Sequence, residues 1–420
     1  MAANGDELPI MADSYIDLDF GTAVMKCTPA HDPNDFQLAK KYNLPMPKCM
    51  NEDGTMNDLA GKYKGMDRFE CREALLKDFE AAGVVDHIET IVHSVGHSER
   101  SHAIVEPYLS KQWFVKMKPL AENALKNQET DDRVDFVPER FEKTFSNWMN
   151  NIEDWCISRQ RTWGVPIPIF YCEDGTPIIE QEVFDHISEL FREHGSNVWF
   201  ERDEKDLLPE GYTNEHSPNG IFKKEKDIMD VWFDSGAMPY AQLHYPFENK
   251  ELVDSRSYYP ADFIAEGVDQ TRGWFFTLHA IATMVFDSVA YKNVISNGLV
   301  LDKNGNKMSK RLGNAVDPFG AIEKFGSDPL RWYMITNSSP WDNLKFDTDG
   351  VDEVRRKFFG TLYNTYSFFA LYANVDGFTY AEEDVPMNER PEIDRWILSL
   401  LNSLIKNVDD CFADYEPTKA

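Results

Sequence analysis

The spacing of apolar and polar residues changes several times along this 420-residue chain, and each change predicts an element. The stretch from Tyr15 to His31 alternates and is rich in β-forming residues, so strands are predicted there. The motif DPNDFQLAKKYNLP then predicts a short helix, with Asp32 as its N-cap and Pro33 at its first position. A second helix is predicted in RFECREALLKDFEAAGV, ending at Gly83. Strands are predicted again in HIETIVHSV, AIVEPYLS and KQWFVKM.

Helical spacing returns in VPERFEKTFSNWMNNIEDWCISRQ, and the charged, turn-rich segment 171–225 predicts a surface insertion. Further on, DFIAEGV predicts a buried strand, TRGWFFTLHAIATMVFD an apolar helix and NVISNGLVLD a second strand. Because a crossover helix joins parallel strands, this order predicts an α/β sheet. Two amphipathic helices, in RRKFFGTLYNTYSFFALYANV and PEIDRWILSLLNSLIKNVDDCF, predict a C-terminal helical domain.

Composition narrows the class of protein. A chain of this length is too long for one hydrophobic core, so about two or three domains are expected. It holds no apolar run long enough to cross a bilayer and no secretory signal, so no membrane association is expected. Six cysteines without a CxxC pair suit a reducing cytoplasm. With a net charge of −29, any nucleic-acid partner would have to be met through local patches or shape.

One basic cluster stands out in this acidic chain, in the stretch NGNKMSKRLGNAVDP. Lys307 and Lys310 lie three residues apart between Gly305 and Gly313, and the glycines allow the backbone to approach a ligand closely. Two such ammonium groups could converge on a polyphosphate and stabilise the charge that grows on a leaving pyrophosphate. Without further information, a solvated basic turn explains the same residues.

Five motifs together resemble the class I aminoacyl-tRNA synthetases of the branched-chain subgroup, which comprises the isoleucyl, valyl and leucyl enzymes. They occur in that family's order: GTAVMKCTPAHDPNDF (21–36), WCISRQRTWGVPIP (155–168), DVWFDSG (230–236), AEGVDQTRGWF (265–275) and KMSKR (307–311). The resemblance implies an α/β fold: an incomplete Rossmann-type catalytic core, a β-rich portion of an editing domain and a C-terminal α-helical domain.

The same resemblance implies six segments. These are the C-terminal part of the editing domain (1–110), a return to the catalytic core (111–170), a surface insertion (171–225), the second half of the nucleotide-binding domain with the KMSKR loop (226–318), a stem-contact connector (319–350) and the start of a helical anticodon-binding domain (351–420).

The adenylate site is expected at the end of a predicted buried strand. Glu266 and Asp269 follow that strand, where open α/β sheets bind ligands, and two carboxylates suit an ammonium group and ribose hydroxyls. Acids at a helix N-terminus are the alternative explanation. By resemblance, Glu266, Gly267, Asp269 and Gln270 contact the adenylate. Lys307 and Lys310 would be catalytic, and Lys310 would also bind ATP.

Two further pairs take a role only from the resemblance. Trp232 and Trp274 match tryptophans that wall the amino-acid pocket, although each would otherwise be interpreted as a core residue. Asp32 and Asp35 lie on one face of a helix start and match the editing site, where the residue equivalent to Asp35 holds an amino group. Asp32 can also be an N-cap. His31 is interpreted as structural.

Cofactors follow the family. ATP with Mg²⁺ is expected, although the magnesium ligands are not readable from the sequence. Zinc is doubtful, because Cys172 stands in CEDG where some relatives carry a CxxC knuckle. His93, His97 and His102 are not expected to converge on a metal. The expected partners are tRNA, isoleucine or valine, and ATP, and a cytoplasmic monomer is expected.

The chain also departs from the family. No HIGH-like motif occurs, so we expect an internal fragment that is inactive alone. Up to about Gln160 the motifs are closer to the valyl branch and beyond it to the isoleucyl branch. Because the amino-acid pocket lies in the later part, isoleucine is favoured over valine. A non-catalytic tRNA-binding module remains an alternative, whereas the absence of GxGxxG argues against a dinucleotide-dependent oxidoreductase.

Overall fold

The computed structural model describes residues 7–19, 21–99 and 101–420. The chain divides into two compact units, Met1–Lys111 and Gln112–Ala420.

Two helices organise the first unit, α1 (Pro33–Tyr42) and α2 (Arg68–Ala81). The carboxylate of Asp32 accepts hydrogen bonds from the two backbone N–H groups of Asn34 and Asp35, so the predicted N-cap of α1 is confirmed. Asp67 caps α2 in the same way. The chain turns after α2 at Gly83, which has a positive φ of 69°.

The β-rich character expected of residues 1–110 is not found in the described part of the first unit. Strands were predicted between Tyr15 and His31, where Phe20 lies outside the described residues, and also in HIETIVHSV and AIVEPYLS. Instead, the described part of the first unit holds three isolated bridges: Met50 with Met56, Thr55 with Asp67, and His97 with Ile104. Alternation predicts an extended backbone, but a strand also needs a neighbouring segment to take up its hydrogen bonds. Without one, the predicted strand residues Val92 and Ile88 are 101% and 61% exposed.

The second unit contains all the strands of the described chain. They are β1 (Phe114–Val115), β2 (Asp135–Val137), β3 (Trp155–Cys156), β4 (Ser158–Arg159), β5 (Phe170–Tyr171), β6 (Lys223–Lys224), β7 (Ile228–Met229), β8 (Ala261–Gly267), β9 (Tyr291–Asn297), β10 (Val300–Leu301) and β11 (Leu344–Lys345).

Its helices account for most of the remaining regular structure. They are α3 (Met117–Asn127), α4 (Arg140–Asn150), α5 (Gln181–His194), α6 (Val198–Glu201), α7 (Glu204–Leu207), α8 (Val231–Gly236), α9 (Met238–Ala241), α10 (Lys250–Asp254), α11 (Trp274–Phe286), α12 (Pro318–Phe325), α13 (Ser327–Thr336), α14 (Thr348–Val354), α15 (Gly360–Asp376) and α16 (Glu392–Ala413).

A parallel three-stranded sheet in the order β2-β9-β8 lies at the centre of the second unit. Helix α11 connects β8 to β9, so the predicted β–α–β unit and the α/β class are confirmed. This helix is apolar on nearly every side because α3, α8 and the sheet all cover it. In the register of the sheet, Glu266 lies beside Ser296 and Gly267 beside Asn297.

The second predicted strand, NVISNGLVLD, is broken into β9 and β10 at Gly298. The N–H of Gly298 donates to the carbonyl of Pro340 at 2.8 Å, and a Cβ at this position would overlap the carbonyl of Asp342. β10 then pairs in parallel with β11, outside the central sheet. Because the chain needs this close backbone approach, a glycine ends the strand where hydrophobic spacing predicts continuation.

The segment predicted as an insertion builds a hydrophobic cluster of its own. Phe170 and Trp199 are fully buried in it, 4.9 Å apart between ring centroids. Helices α5, α6 and α7 and the antiparallel pair β5–β6 supply the rest of this cluster. Beyond residue 350, the two predicted helices form as α15 and α16, α15 following a π-helical turn at Arg355–Phe359. The apolar residues of α15 lie on all sides of the helix, so its predicted amphipathic character is not found, whereas α16 has it.

Candidate active site

The carboxyl end of β8 carries the candidate adenylate residues. Glu266 and Gly267 are the last two residues of the strand, and Asp269 and Gln270 lie on the 3₁₀ turn Val268–Arg272 that follows. The side chains of Glu266 and Asp269 are exposed, whereas Gln270 is half-buried. Two carboxylates thus face solvent at the edge where parallel sheets bind ligands.

Gln270 links this turn to the start of α11. Its Oε1 accepts the backbone N–H of Trp274 at 3.0 Å, and its Nε2 lies 3.5 Å from Asp269 Oδ2. By taking up one of the free N–H groups at the helix start, Gln270 acts as a cap that the sequence did not predict. Its carboxamide is therefore held in place beside Asp269.

The two candidate pocket tryptophans meet around Gly273. Trp274 donates from its indole N–H to the carbonyl of Ser235 in α8 at 2.9 Å. A Cβ at Gly273 would lie 3.4 Å from Trp232 Cη2 and 2.8 Å from Gln270 Oε1. Trp232 is 41% exposed and is therefore not a core residue. Trp274, in contrast, packs against the hydrophobic cluster around α11. The fold therefore brings Trp232 close to Gly273, the residue between the 3₁₀ turn and α11.

Asp230 fixes the helix that carries Trp232. It is 3% exposed, caps α8 through the N–H of Trp232, and accepts the indole N–H of Trp155 at 3.1 Å. The guanidinium group of Arg159 lies 3.0 Å from the Asp230 carboxylate and balances its negative charge. Burial raises the pKa of the Asp234 carboxyl above its ordinary range, and the negative charge of Asp230 adds to this. The interpretation of the sequence missed this network, although DVWFDSG displays both acids.

The basic loop that carries Lys307 and Lys310 has its own network of hydrogen bonds. Both Lys307 and Lys310 are exposed, and Lys310 begins a 3₁₀ turn. Asn314 holds the loop: its amide donates to Asp302 at 3.0 Å and to the Lys307 carbonyl at 3.2 Å, and its Oδ1 accepts the N–H of Ser309 at 2.8 Å. Hydrogen bonds from the Asn306 backbone, and then from Asn314, lower the pKa of Asp302 below its ordinary range.

The basic loop lies close to the strand-end residues in the order of the chain. Lys307 follows Asn297, the last residue of β9, by ten residues, and β9 lies directly beside β8. In the described part of the chain, neither Lys307 nor Lys310 forms a hydrogen bond or ion pair with the strand-end residues. Met308 instead packs against the cluster formed by α12, α13 and α14. The two groups are thus adjacent in topology, and their contact stays a prediction.

A cavity adjoins the 3₁₀ turn Val268–Arg272 without belonging to the candidate site. It measures about 400 Å³ and lies between α4, the sheet and the start of α11. Thr271, Arg272 and several aromatic side chains line it. Because none of the candidate residues faces this cavity, its size alone does not make it the adenylate site.

The two editing candidates lie in the first unit and already serve its local structure. Asp32 caps α1, as described above. Asp35 is 6% exposed and accepts hydrogen bonds from the N–H of Thr28 at 2.5 Å and from its hydroxyl at 3.2 Å. This arrangement anchors the segment before α1 onto the helix. Any further role of the two carboxylates stays a prediction.

Metal ligands are sparse in the described residues, which hold no group of three or more His, Cys, Asp or Glu side chains arranged around one point. Cys172 is buried in the hydrophobic cluster of the insertion. His97 bonds through Nδ1 to the carbonyl of His102 at 2.7 Å. In residues 7–19, 21–99 and 101–420, no helix is both long enough and apolar enough to cross a bilayer.

Comparison with known proteins decides the family. The model of the tRNA synthetases class I (I, L, M and V) matches residues 34–347. The chain belongs to this family. The resemblance drawn from its five motifs is therefore confirmed.

Among related class I synthetases, the isoleucine–tRNA ligases of Bacteroides fragilis and Bacteroides thetaiotaomicron are 48% and 47% identical to this chain. They match 98% and 99% of the chain, respectively. The valine–tRNA ligase of Anoxybacillus flavithermus is 43% identical over 98% of it. The chain spans 41–43% of the length of these relatives. It is thus similar to both branches, with the isoleucine ligases at the higher identity.

A solved class I synthetase supports the fold. The methionyl-tRNA synthetase of Mycobacterium tuberculosis in complex with methionyl-adenylate superposes with a TM-score of 0.52 at 17% identity. The match covers 92% of this chain and 66% of the other. At this identity the match establishes a shared architecture.

Proposed function

We propose that this chain is part of an isoleucine–tRNA ligase, which joins isoleucine to ATP as an adenylate and then esterifies the terminal ribose of its tRNA. The observation that carries the proposal is the placement of Glu266, Asp269 and Gln270 at the carboxyl end of β8, with Trp232 close to Gly273 at the start of the following helix. Such strand ends are where open α/β sheets bind ligands. Higher identity to isoleucine than to valine ligases supports the choice of amino acid.

Each strand-end group has a chemical task in this proposal. The carboxylates of Glu266 and Asp269 accept hydrogen bonds from the α-ammonium group and the ribose hydroxyls. Gln270, held by the N–H of Trp274, offers a positioned amide. Gly267 leaves room for a ligand, since the only atoms that a Cβ there would meet belong to the Asp269 carboxylate. Trp232 and Trp274 wall the isoleucine side chain.

Lys307 and Lys310 stabilise the charge on the leaving pyrophosphate, and Lys310 also binds ATP. Catalysis is then positioning and charge stabilisation, without a covalent intermediate on the enzyme. Magnesium accompanies the ATP phosphates and supplies further positive charge there. The exposure of both lysines leaves their ammonium groups available to a ligand.

The remaining assignments extend the proposal to the whole protein. Residues 1–110 contribute to hydrolytic editing through Asp32 and Asp35, and residues 351–420 begin an anticodon-binding domain. The segments between them have the roles and boundaries predicted from the sequence. The protein acts on tRNA as a cytoplasmic monomer. Family membership supports these assignments.

The test is amino-acid-dependent exchange of pyrophosphate into ATP by the complete protein that contains this chain. We expect exchange with isoleucine that exceeds exchange with valine. Lys310→Ala should slow it about 100-fold or more, the usual cost of losing one transition-state charge contact. Lys303→Ala is the matched control, because this exposed lysine lies in the turn just before the motif. A non-catalytic tRNA-binding module would give no exchange, and a valine ligase would reverse the preference.

A further inference from the structure

A cysteine and a histidine of the first unit face each other outside the strand-end site. Cys49 Sγ lies 3.8 Å from Nε2 of His31, within hydrogen-bonding reach for sulfur. Both residues are partly exposed, so a small reagent can reach the pair. The contact joins two segments that are 18 residues apart in the chain.

The other nitrogen of the same imidazole fixes its tautomer. His31 Nδ1 lies 3.1 Å from the carbonyl oxygen of Pro107. A carbonyl can only accept a hydrogen bond, so Nδ1 must carry the proton and the neutral ring must present a lone pair at Nε2. That lone pair faces the Cys49 thiol. The Cys49 thiol, the His31 imidazole and the Pro107 carbonyl thus form a chain of contacts: a nucleophile, a base and a group that orients the base.

Several contacts hold this geometry. The backbone N–H of His31 donates to the carbonyl of Thr28, directly before the capped start of α1. The segment that carries the Pro107 carbonyl is tied down by Lys48, whose ammonium group donates to the Leu109 carbonyl at 3.2 Å and lies 4.7 Å from the centre of the Tyr108 ring. The base and the carbonyl that orients it therefore belong to the same packed region.

The other cysteines lack such a base. Cys27 donates to the Asp35 carbonyl, and burial raises the pKa of its thiol. Cys71 and Cys172 are buried. Among the described residues, the sulfurs of Cys156 and Cys411 have no imidazole partner either. Among the cysteines, and within the residues that the structure describes, Cys49 is the one that combines access with a positioned proton acceptor.

We propose that Cys49 and His31 form a base-assisted thiol site that reacts with hydroperoxides and soft carbon electrophiles. Nε2 takes the thiol proton, and the thiolate attacks the peroxide oxygen. A sulfur–oxygen bond forms and the oxygen–oxygen bond breaks, so sulfur is oxidised to a sulfenic acid and the peroxide is reduced. The imidazolium returns its proton to the departing oxygen, which leaves as water from hydrogen peroxide or as an alcohol from an alkyl hydroperoxide. With a carbon electrophile such as iodoacetamide, the thiolate forms a sulfur–carbon bond and iodide leaves. The proposal does not rest on the aminoacylation activity.

The test uses the intact chain and iodoacetamide, with mass spectrometry reporting the alkylation of each cysteine over time at pH 7. Because a free thiol is only a few per cent ionised at this pH, we expect Cys49 to react about tenfold faster than Cys411. His31→Ala should remove that advantage while the rate at Cys411 stays unchanged. Added imidazole should restore the rate at Cys49 selectively, which a purely structural role of His31 would not allow.

Buried Cys71 and Cys172 report on folding in the same experiment, because they become reactive only if the variant unfolds. A second arm treats the unmodified chain with hydrogen peroxide and traps sulfenic acid with dimedone, where we expect the adduct first at Cys49. The proposal is overturned if Cys49 and Cys411 react at equal rates in the native chain. It is also overturned if His31→Ala stays folded and leaves the rate at Cys49 unchanged.

Discussion

Arg159 Nη2 lies 3.0 Å from Oδ2 of Asp230, a carboxylate that is nearly inaccessible to solvent. The same oxygen accepts the indole N–H of Trp155 at 3.1 Å. Because Asp230 also caps α8, this ion pair fixes the start of the helix that presents Trp232. The pair connects β4 with a motif 71 residues further along the chain, so it links the parts of the second unit on which the proposed amino-acid pocket depends.

Removing Arg159 should therefore destabilise the second unit. Arg159→Met keeps an unbranched side chain but leaves Asp230 buried without its counter-charge, at a cost of about 2–3 kcal/mol since the arginine itself is partly exposed. Urea denaturation measures this change in the free energy of unfolding. The control is Arg192→Met, which breaks an exposed pair with Glu189 and should cost less than about 1 kcal/mol. Equal costs in the two variants would contradict the structural role of the buried pair.

Gly298 should be intolerant of any side chain. In Gly298→Ala the new Cβ would meet the backbone of Asp342, which cannot move away as a flexible side chain could. We expect a loss of about 1–3 kcal/mol in the free energy of unfolding, as for other overpacked positions. Gly360→Ala is the matched control, because its Cβ would meet its nearest atom at 3.5 Å in a helical backbone. That variant should be neutral or slightly stabilising.

The hydrophobic pattern predicted those elements whose stability is mostly local or buried. The capped helix after Asp32 and the β–α–β unit around α11 both form as predicted. The strands of residues 87–95 and 103–110 do not, because pairing depends on a partner segment that alternation does not reveal. The break at Gly298 was equally hidden, since the approaching backbone of Asp342 lies 44 residues later in the sequence.

The candidate site shows the same division. Trp232 lies close to Gly273, which directly precedes Trp274, and the shared pocket predicted for the two tryptophans stays a prediction. The cap that Gln270 forms and the Arg159–Asp230 pair were not foreseen, because both are side-chain contacts set by packing. The Cys49–His31 contact could not be predicted from the sequence for the same reason. Its geometry depends on the carbonyl of Pro107, which no spacing rule connects to His31.

Asn314 should control how mobile the basic loop is. Its side chain makes three hydrogen bonds, to Asp302, Lys307 and Ser309, and Asn314→Ala removes all of them. At about 1 kcal/mol for a typical hydrogen bond, with partial replacement by water, local opening should become about five- to tenfold more frequent.

Limited proteolysis with trypsin measures this opening, because Lys307, Lys310 and Arg311 are its cleavage sites in the loop. We expect cleavage there to accelerate by the same factor in Asn314→Ala. Asn304→Ala is the control, since the Asn304 side chain makes no hydrogen bond in the described part of the chain. If both variants are cleaved at the native rate, Met308 packing rather than Asn314 holds the loop.

His279 should make the stability of the second unit depend on pH. It is 1% exposed in α11, between the rings of Phe145 and Tyr291, and within the described residues neither ring nitrogen has a hydrogen-bond partner. Burial lowers the pKa of His279 from 6.5 to about 4. Between these two values the unfolded chain binds a proton that the folded chain does not. Stability therefore falls as the pH drops through this window and is unaffected by this group above it.

The variant His279→Phe removes the titrating group and keeps a ring in the same aromatic cluster. Between pH 7 and pH 4, the free energy of unfolding should fall by about 3 kcal/mol more in the unmodified chain than in this variant. Urea denaturation at a series of pH values gives the difference directly. His194→Gln, at a half-exposed histidine of α5, should retain the full pH dependence. If His279→Phe retains it as well, water reaches the imidazole in solution and the burial argument for α11 fails.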